Sequence, residues 1–183
     1  MSDVAIRGLD ALNAYLQRVP ALVEANIKRG ALREAGNVIA EQARQNVSQI
    51  GTQVSSRNQA EYGGYAGLLR DSIRVKTFIP PDGESRAVVK AGGKAKSGGI
   101  AYYAWWIEHG TAAHVIKSKT GKPLVFAGMF AQSVKHPGIA PRPFMRPALD
   151  QAQAAAVAAF VTYAQTRLRN EGLEVPDNTQ DAA

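Results

Sequence analysis

The sequence predicts an α+β fold: an antiparallel β-sheet with hairpin extensions, packed against a long N-terminal helix and a C-terminal helix. Three observations predict it. Apolar residues recur at helical spacing over residues 21–50, and they alternate with a period of two over residues 73–79. Alanine dominates residues 147–170, behind a run of prolines. At 183 residues the chain is long enough for a sizeable core. A single domain over residues 1–170 is expected, followed by an acidic, flexible tail over residues 171–183.

Taken in order, residues 4–19 read as a short helix, with Leu9, Leu12 and Leu16 on one face beside Tyr15. Pro20 then opens the next helix. Over residues 21–50 an apolar stripe runs through Ile27, Ala31, Ala35, Val38 or Ile39, Gln42 or Ala43, and Val47. This is an amphipathic helix of about eight turns. Gly30 and Gly36 interrupt it, each costing about 1 kcal/mol relative to alanine. They mark either close approach of another element or simple tolerance. Residues 51–67 form a polar, glycine-rich loop carrying Tyr62 and Tyr65, longer than most loops within compact domains. Ile73, Val75, Thr77 and Ile79 then alternate with Arg74, Lys76 and Phe78, which marks a half-buried strand. The Pro80-Pro81-Asp82-Gly83 turn returns it into residues 86–91. Residues 92–99, GGKAKSGG, read as a mobile basic loop carrying Lys94 and Lys96; the spacing of a phosphate-binding loop is missing.

Residues 101–150 hold both tryptophans, all three histidines and five of the nine prolines. Residues 101–110 lean toward a short helix ending at Gly110, with Tyr103, Trp106 and Ile107 as structural anchors. A strand is the alternative, because aromatics favour strands. Glu108 is placed to take a tryptophan N–H or to pair with a basic residue. Residues 111–128 read as a second hairpin: 114–119 lead in, Thr120-Gly121-Lys122 turns, and 124–126 return. Lys117, Lys119 and Lys122 crowd its tip. Val134 and Lys135 suit a further short strand. Pro147 sits in the first turn of the last helix, which runs to about Asn170 with Leu149, Ala152, Ala156, Val157, Phe160, Ala164 and Leu168 on its apolar side. Phe144, just ahead of it, is a further structural anchor.

Composition narrows the chemistry. Cysteine is absent, which removes disulfides, thiol nucleophiles and Cys-ligated zinc. No run approaches the roughly 20 apolar residues of a membrane span, so no membrane contact is expected. The start lacks a basic stretch followed by an apolar one, so no signal peptide is expected. Glu108, His109 and His114 lie close together, but HxxxxH is not the HExxH spacing that puts two ligands on one helix face. No catalytic, cofactor-binding or metal-binding residues are assigned, no cofactor is expected, and the chain is read as a non-enzyme. Charge is uneven: residues 70–146 carry 13 basic and 4 acidic side chains, net +9, while residues 147–183 are net −3. Such a block can attract phosphates. The preferred reading is a solvated basic face, or one that meets acidic neighbouring subunits. The alternative is sequence-independent DNA binding.

The motif order carries a resemblance. GLDALNAYL (8–16) precedes a long helix rich in alanine and arginine. AGLLRDSIRV (66–75), YYAWWIEHGT (102–111) and HPGIAPRPFMRPALD (136–150) follow. In this order they resemble the tailed-bacteriophage tail-component family named after the tenth gene product of a lambdoid coliphage. The resemblance covers residues 5–170, with Ala66-Gly67 where the family usually has threonine-glycine and a longer loop ahead of it. It implies a structural virion protein of the tail or neck, assembled in the host cytoplasm. The expected form is a sixfold tail-completion or tail-terminator ring around the DNA channel, joining head connector to tail. Its implied partners are further copies of itself, neighbouring neck, connector or tail-tube proteins, and transiently the passing DNA. The candidates for contact are Tyr62, Tyr65, Lys94, Lys96, Lys117, Lys119 and Lys122. A channel must let DNA slide, so protein contacts are favoured for most of these lysines.

Overall fold

A computed structural model describes residues 21–50, 65–80, 84–95, 98–118, 121–126 and 128–173. The elements are α1 (Ala21–Ile50), α2 (Leu68–Asp71), β1 (Arg74–Phe78), β2 (Arg86–Lys90), β3 (Gly93–Lys94), β4 (Ile100–Ala101), α3 (Ala104–His109), β5 (His114–Lys117), β6 (Leu124–Phe126), β7 (Met129–Ala131), β8 (Ser133–His136) and α4 (Met145–Asn170). The fold is α+β, as the periodicities require. Among the described residues the strands form four two-stranded antiparallel ladders, β1–β2, β3–β4, β5–β8 and β6–β7, in place of a single expected sheet. The expected helix over 4–19 and most of the loop over 51–67 lie outside the described residues.

The chain clusters into two compact units that interleave in sequence. The first comprises Met1–Gln42, Arg74–Lys90 and Asp150–Ala183. Its core is a helix–helix contact in which Ile27 and Ala31 of α1 meet Ala164 and Leu168 of α4. Val23, Phe160, Tyr163 and Leu173 pack around them. Full burial of Ile27 and of Leu168 contributes about 1.5–3 kcal/mol each. The helix glycines are close-approach sites. A Cβ on Gly30 would lie 2.3 Å from the Tyr163 ring, and one on Gly36 would lie 2.6 Å from Cγ1 of Val75 on β1. The strand β1 runs antiparallel to β2, with Val75 opposite Val89 and Thr77 opposite Ala87. Lys76 and Phe78 point to solvent, so the alternation read from the sequence holds.

The helix α4 ends where its sequence says it must. Gly172 has φ of 74°, donates its N–H to Arg169 O at 3.0 Å, and is followed by Leu173 N–H to Leu168 O at 3.1 Å. That is the Schellman closure, in which the residue after the glycine also packs back on the helix. Leu149, expected on the apolar side, is exposed. The buried stripe instead runs through Ala148, Ala152, Ala156, Ala164 and Leu168.

The second unit comprises Ala43–Ile73 and Ala91–Leu149. Its buried set includes Val47, Leu68, Leu69, Ile73, Ala101, Ala104 and Phe144. The AGLLRDSIRV stretch is therefore not strand from its start: α2 comes first and buries two leucines. Ser72 closes it, with Oγ donating to Leu69 O at 2.7 Å and accepting Gly92 N–H at 2.9 Å. The end of α1 is tied in by three side-chain bonds. Arg44 donates to Ile73 O at 2.9 Å, Asn46 donates to Phe144 O at 3.1 Å, and Arg142 donates to Ile50 O at 3.3 Å. The glycine-rich stretch expected to be mobile forms the β3–β4 hairpin, in which Ala95 N–H donates to Gly99 O at 2.7 Å. Lys96 lies outside the described residues.

An exposed helical glycine gains about 1 kcal/mol on replacement by alanine. Gly36→Ala is expected to do the opposite, lowering stability by about 1–3 kcal/mol through overpacking against Val75. Val75→Ala in the same chain is expected to recover part of the loss. Urea unfolding of the three proteins measures both effects.

Candidate assembly surface

The second unit is organised around one carboxylate. In α3, Glu108 Oε2 accepts the N–H of Phe144 at 2.7 Å and that of Met145 at 3.0 Å. Its Oε1 accepts the N–H of Arg146 at 3.2 Å. These are the amides that open α4. The first four N–H groups of a helix have no partner within it. Here three meet Glu108, and the next residue is Pro147, which has no N–H to satisfy. A negative charge at this end also favours the helix dipole. Among the described residues, Glu108 thus takes neither a tryptophan N–H nor a basic side chain, the two partners expected for it.

The lead into α4 is held in place on both sides of that contact. Thr111 and Ile139 exchange backbone hydrogen bonds of 2.9 and 3.1 Å, and Arg142 N–H donates to Ile107 O at 2.8 Å. Gly110 closes α3 with φ of 72°, and a Cβ there would lie 2.5 Å from Ile139 O. Only glycine meets both demands.

The anchors expected from sequence separate into two kinds. Phe144 is 1% exposed and belongs to the core, and Tyr103 and Ile107 are half-buried. Burial, with a smaller contribution from nearby Tyr102 and Tyr65, pushes the Tyr103 hydroxyl above its ordinary range. Trp106 is 45% exposed, so the subunit does not bury it as a core anchor. It meets Tyr102 edge-on at 5.8 Å. Trp105 is also exposed and stacks on His109 at 3.8 Å. The face of α3 that carries Trp105, Trp106 and His109 points outward because Ala104 and Glu108, one turn apart, are aimed inward.

Beyond α3 the chain forms a ribbon. The second hairpin is longer than expected, and its pairing differs. Residues 124–126 do not return on 114–117; they pair with 129–131 around Gly128, and 114–117 pair with 133–136. Of the expected Thr120-Gly121-Lys122 turn, Thr120 lies outside the described residues. Ser118 N–H donates to Gln132 O at 3.2 Å and carries the pairing one residue further. Every residue of β5 is exposed. Val115 and Ile116 are among the exposed apolar residues, and the cross-strand pair Val125 and Phe130 is 67% and 73% exposed. His114 and His136 face each other across the ladder with rings 5.0 Å apart. His109 stacks on Trp105 instead. Among the described residues, no group of three or more His, Cys, Asp or Glu is placed to hold a metal.

Of the contact candidates, Lys94, Lys117 and Lys122 are exposed, and Lys135 on β8 is exposed with them. Tyr62 and Lys119 lie outside the described residues. Tyr65 is half-buried and committed locally: its hydroxyl donates to Asp71 Oδ2 at 2.8 Å. That bond, foremost, holds the Asp71 carboxyl below its ordinary value of 3.8; desolvation opposes it, and Arg70 adds to the lowering. Sequence reasoning missed the apolar pair Val125 and Phe130. The signal was present in LVFAGMF, whose glycine marks the reversal.

A family model described as "Bacteriophage HK97-gp10, putative tail-component" matches residues 10–110 of the chain. No curated protein and no solved structure matches significantly. No helix among the described residues is long and apolar enough to cross a membrane.

Glu108→Ala is expected to cost about 2–3 kcal/mol, because two part-buried amides and one exposed amide lose a charged acceptor. Glu108→Gln should cost less, since its amide oxygen still accepts. Urea unfolding at neutral pH gives both values. The depressed Asp71 carboxyl contributes stability above its unfolded value, and that contribution disappears as pH falls through its folded one. Tyr65→Phe removes the leading cause. The variant should lose less stability than the parent as pH falls below about 4 in acid-dependent urea midpoints.

Proposed function

The chain belongs to the HK97 gp10-like family of phage tail components, and from that membership we propose that it is a tail-completion ring subunit of the phage neck. A tail component is a structural part of the virion. In the proposed assembly, copies form a ring, sixfold in expectation, between the head connector and the tail tube. DNA passes through its channel, and the protein performs no catalysis. Tyr102, Trp105, Trp106, Lys94, Lys117 and Lys122 are the residues proposed to meet neighbouring subunits or rings.

One observation supports this most. Of the 11 large hydrophobic residues exposed among the described residues, 10 fall between positions 100 and 149. Scattered exposed apolar residues are normal on a monomer, but concentration in one stretch of one unit marks a surface that is covered in an assembly. Aromatic side chains are also the type enriched at the centres of interfaces.

A phage deleted for this protein is expected to accumulate filled heads and separate tails, and adding the purified protein is expected to join them. Joined, infective particles without it would remove the neck role. The net +9 over residues 70–146 favours a second reading, sequence-independent DNA binding. Its test is the affinity for duplex DNA against salt, which should fall steeply if phosphates are the partners.

A further inference from the structure

The ribbon of β5–β8 and β6–β7 is a two-stranded arm, and two-stranded hairpins are marginally stable alone in water. It nevertheless presents Val115, Ile116, Val125 and Phe130 to solvent. Something must cover it in the assembly. Charge identifies the occupant. Between Glu108 and Asp150 the chain has no carboxylate, and within residues 114–136 it has four lysines: 117, 119, 122 and 135. Among the described residues, the salt bridges are Lys28–Glu24, Arg70–Asp71 and Arg167–Glu171, and none uses an arm lysine. A second arm is a poor occupant, because four lysines would face four more.

The complement lies in the same chain. After Arg169 there is no cation, and the carboxylates of Glu171, Glu174, Asp177 and Asp181 follow. The order Glu174-Val175-Pro176-Asp177 sets two apolar residues between two acids. The arm sets Val125 and Phe130 between Lys122 and Lys135. Ten residues follow Leu173. Extended, they reach about 33–36 Å.

We infer that the arm binds the acidic C-terminal segment, residues 174–183, of a neighbouring copy of this chain. The inference rests on the ring reading. The arm and the segment are different surfaces, so the contact is head-to-tail, the kind that closes into a ring. Lysines meet carboxylates, and Val125 with Phe130 packs on Val175 and Pro176. Pro176 lacks an N–H, so side chains carry the contact at that point, not an added strand. Duplex DNA would also answer the lysines, but it would leave the Val125–Phe130 pair in water.

The test couples lysines to carboxylates with a zero-length carbodiimide cross-linker, applied to the full chain in solution and on purified phage particles. Dimer-mass products should link Lys117, Lys119, Lys122 or Lys135 to Glu174, Asp177 or Asp181. A chain ending at Leu173 and the variant Lys117→Glu/Lys122→Glu/Lys135→Glu should each self-associate at least tenfold more weakly in sedimentation. Circular dichroism should show both folded, and Phe130→Ser provides an independent variant with the lysines intact. Links found only at monomer mass would overturn the inference, because the segment would then cover its own arm. Unchanged association of the chain ending at Leu173 would also overturn it, leaving the ring intact with another interface. Loss of duplex binding in the lysine variant, with no arm-to-segment links, would make DNA the occupant. Absence of any dimer-mass product, in solution and on particles alike, would remove the ring reading itself.

Discussion

The carboxylate of Glu108 is the contact on which the second unit depends. It lies 36 to 38 residues before the amides it accepts, so it joins the aromatic helix α3 to the start of α4 across the whole ribbon. A helix beginning in Pro-Arg-Pro-Phe has no side-chain cap of its own, since serine, threonine, asparagine and aspartate are all absent there. Its free amides would otherwise need water or an unrelated acceptor. Glu108 supplies that acceptor, and Pro147 removes the remaining donor. The Thr111–Ile139 bridge and the Arg142–Ile107 hydrogen bond fix the chain between the two partners, so the ribbon leaves from a held base.

Many of the buried side chains are small, and many of the large apolar ones are displayed. Among the described residues the buried set contains ten alanines, while both tryptophans are exposed. Alanine and glycine faces let elements approach closely, as Gly36 does at Val75. The price is that each alanine removes little apolar area from water. Several larger apolar side chains, both tryptophans and Phe130 among them, are left where a partner can use them. This distribution suits a subunit whose stability is completed by assembly, which agrees with membership in a family of phage tail components.

Much of the local structure was legible. The span of α1 followed from its apolar stripe, that of β1 from alternation, and the end of α3 from Gly110. Each depends on side chains within a few residues of one another. The candidate surface was less legible. The lysines of the ribbon were visible as charge, but Val125 and Phe130 look like any buried strand in sequence. Trp106 was misplaced for the converse reason: a large aromatic is assigned to the core until its helix face is known.

By itself, then, the sequence determined the α+β class, the spans of α1 and α4, the first hairpin and the uneven charge, because periodicity and glycine or proline punctuation act over short distances. Only the tertiary structure decided the partner of Glu108, the pairing of residues 114–136 and the exposure of the aromatics. Orphan amides at a helix start accept any suitable oxygen, however distant in sequence. Strand register belongs to two segments together, and neither specifies it alone. Whether a tryptophan is core or surface depends on which face of a six-residue helix must turn inward, and in this protein the inward face was claimed by Glu108 and Ala104.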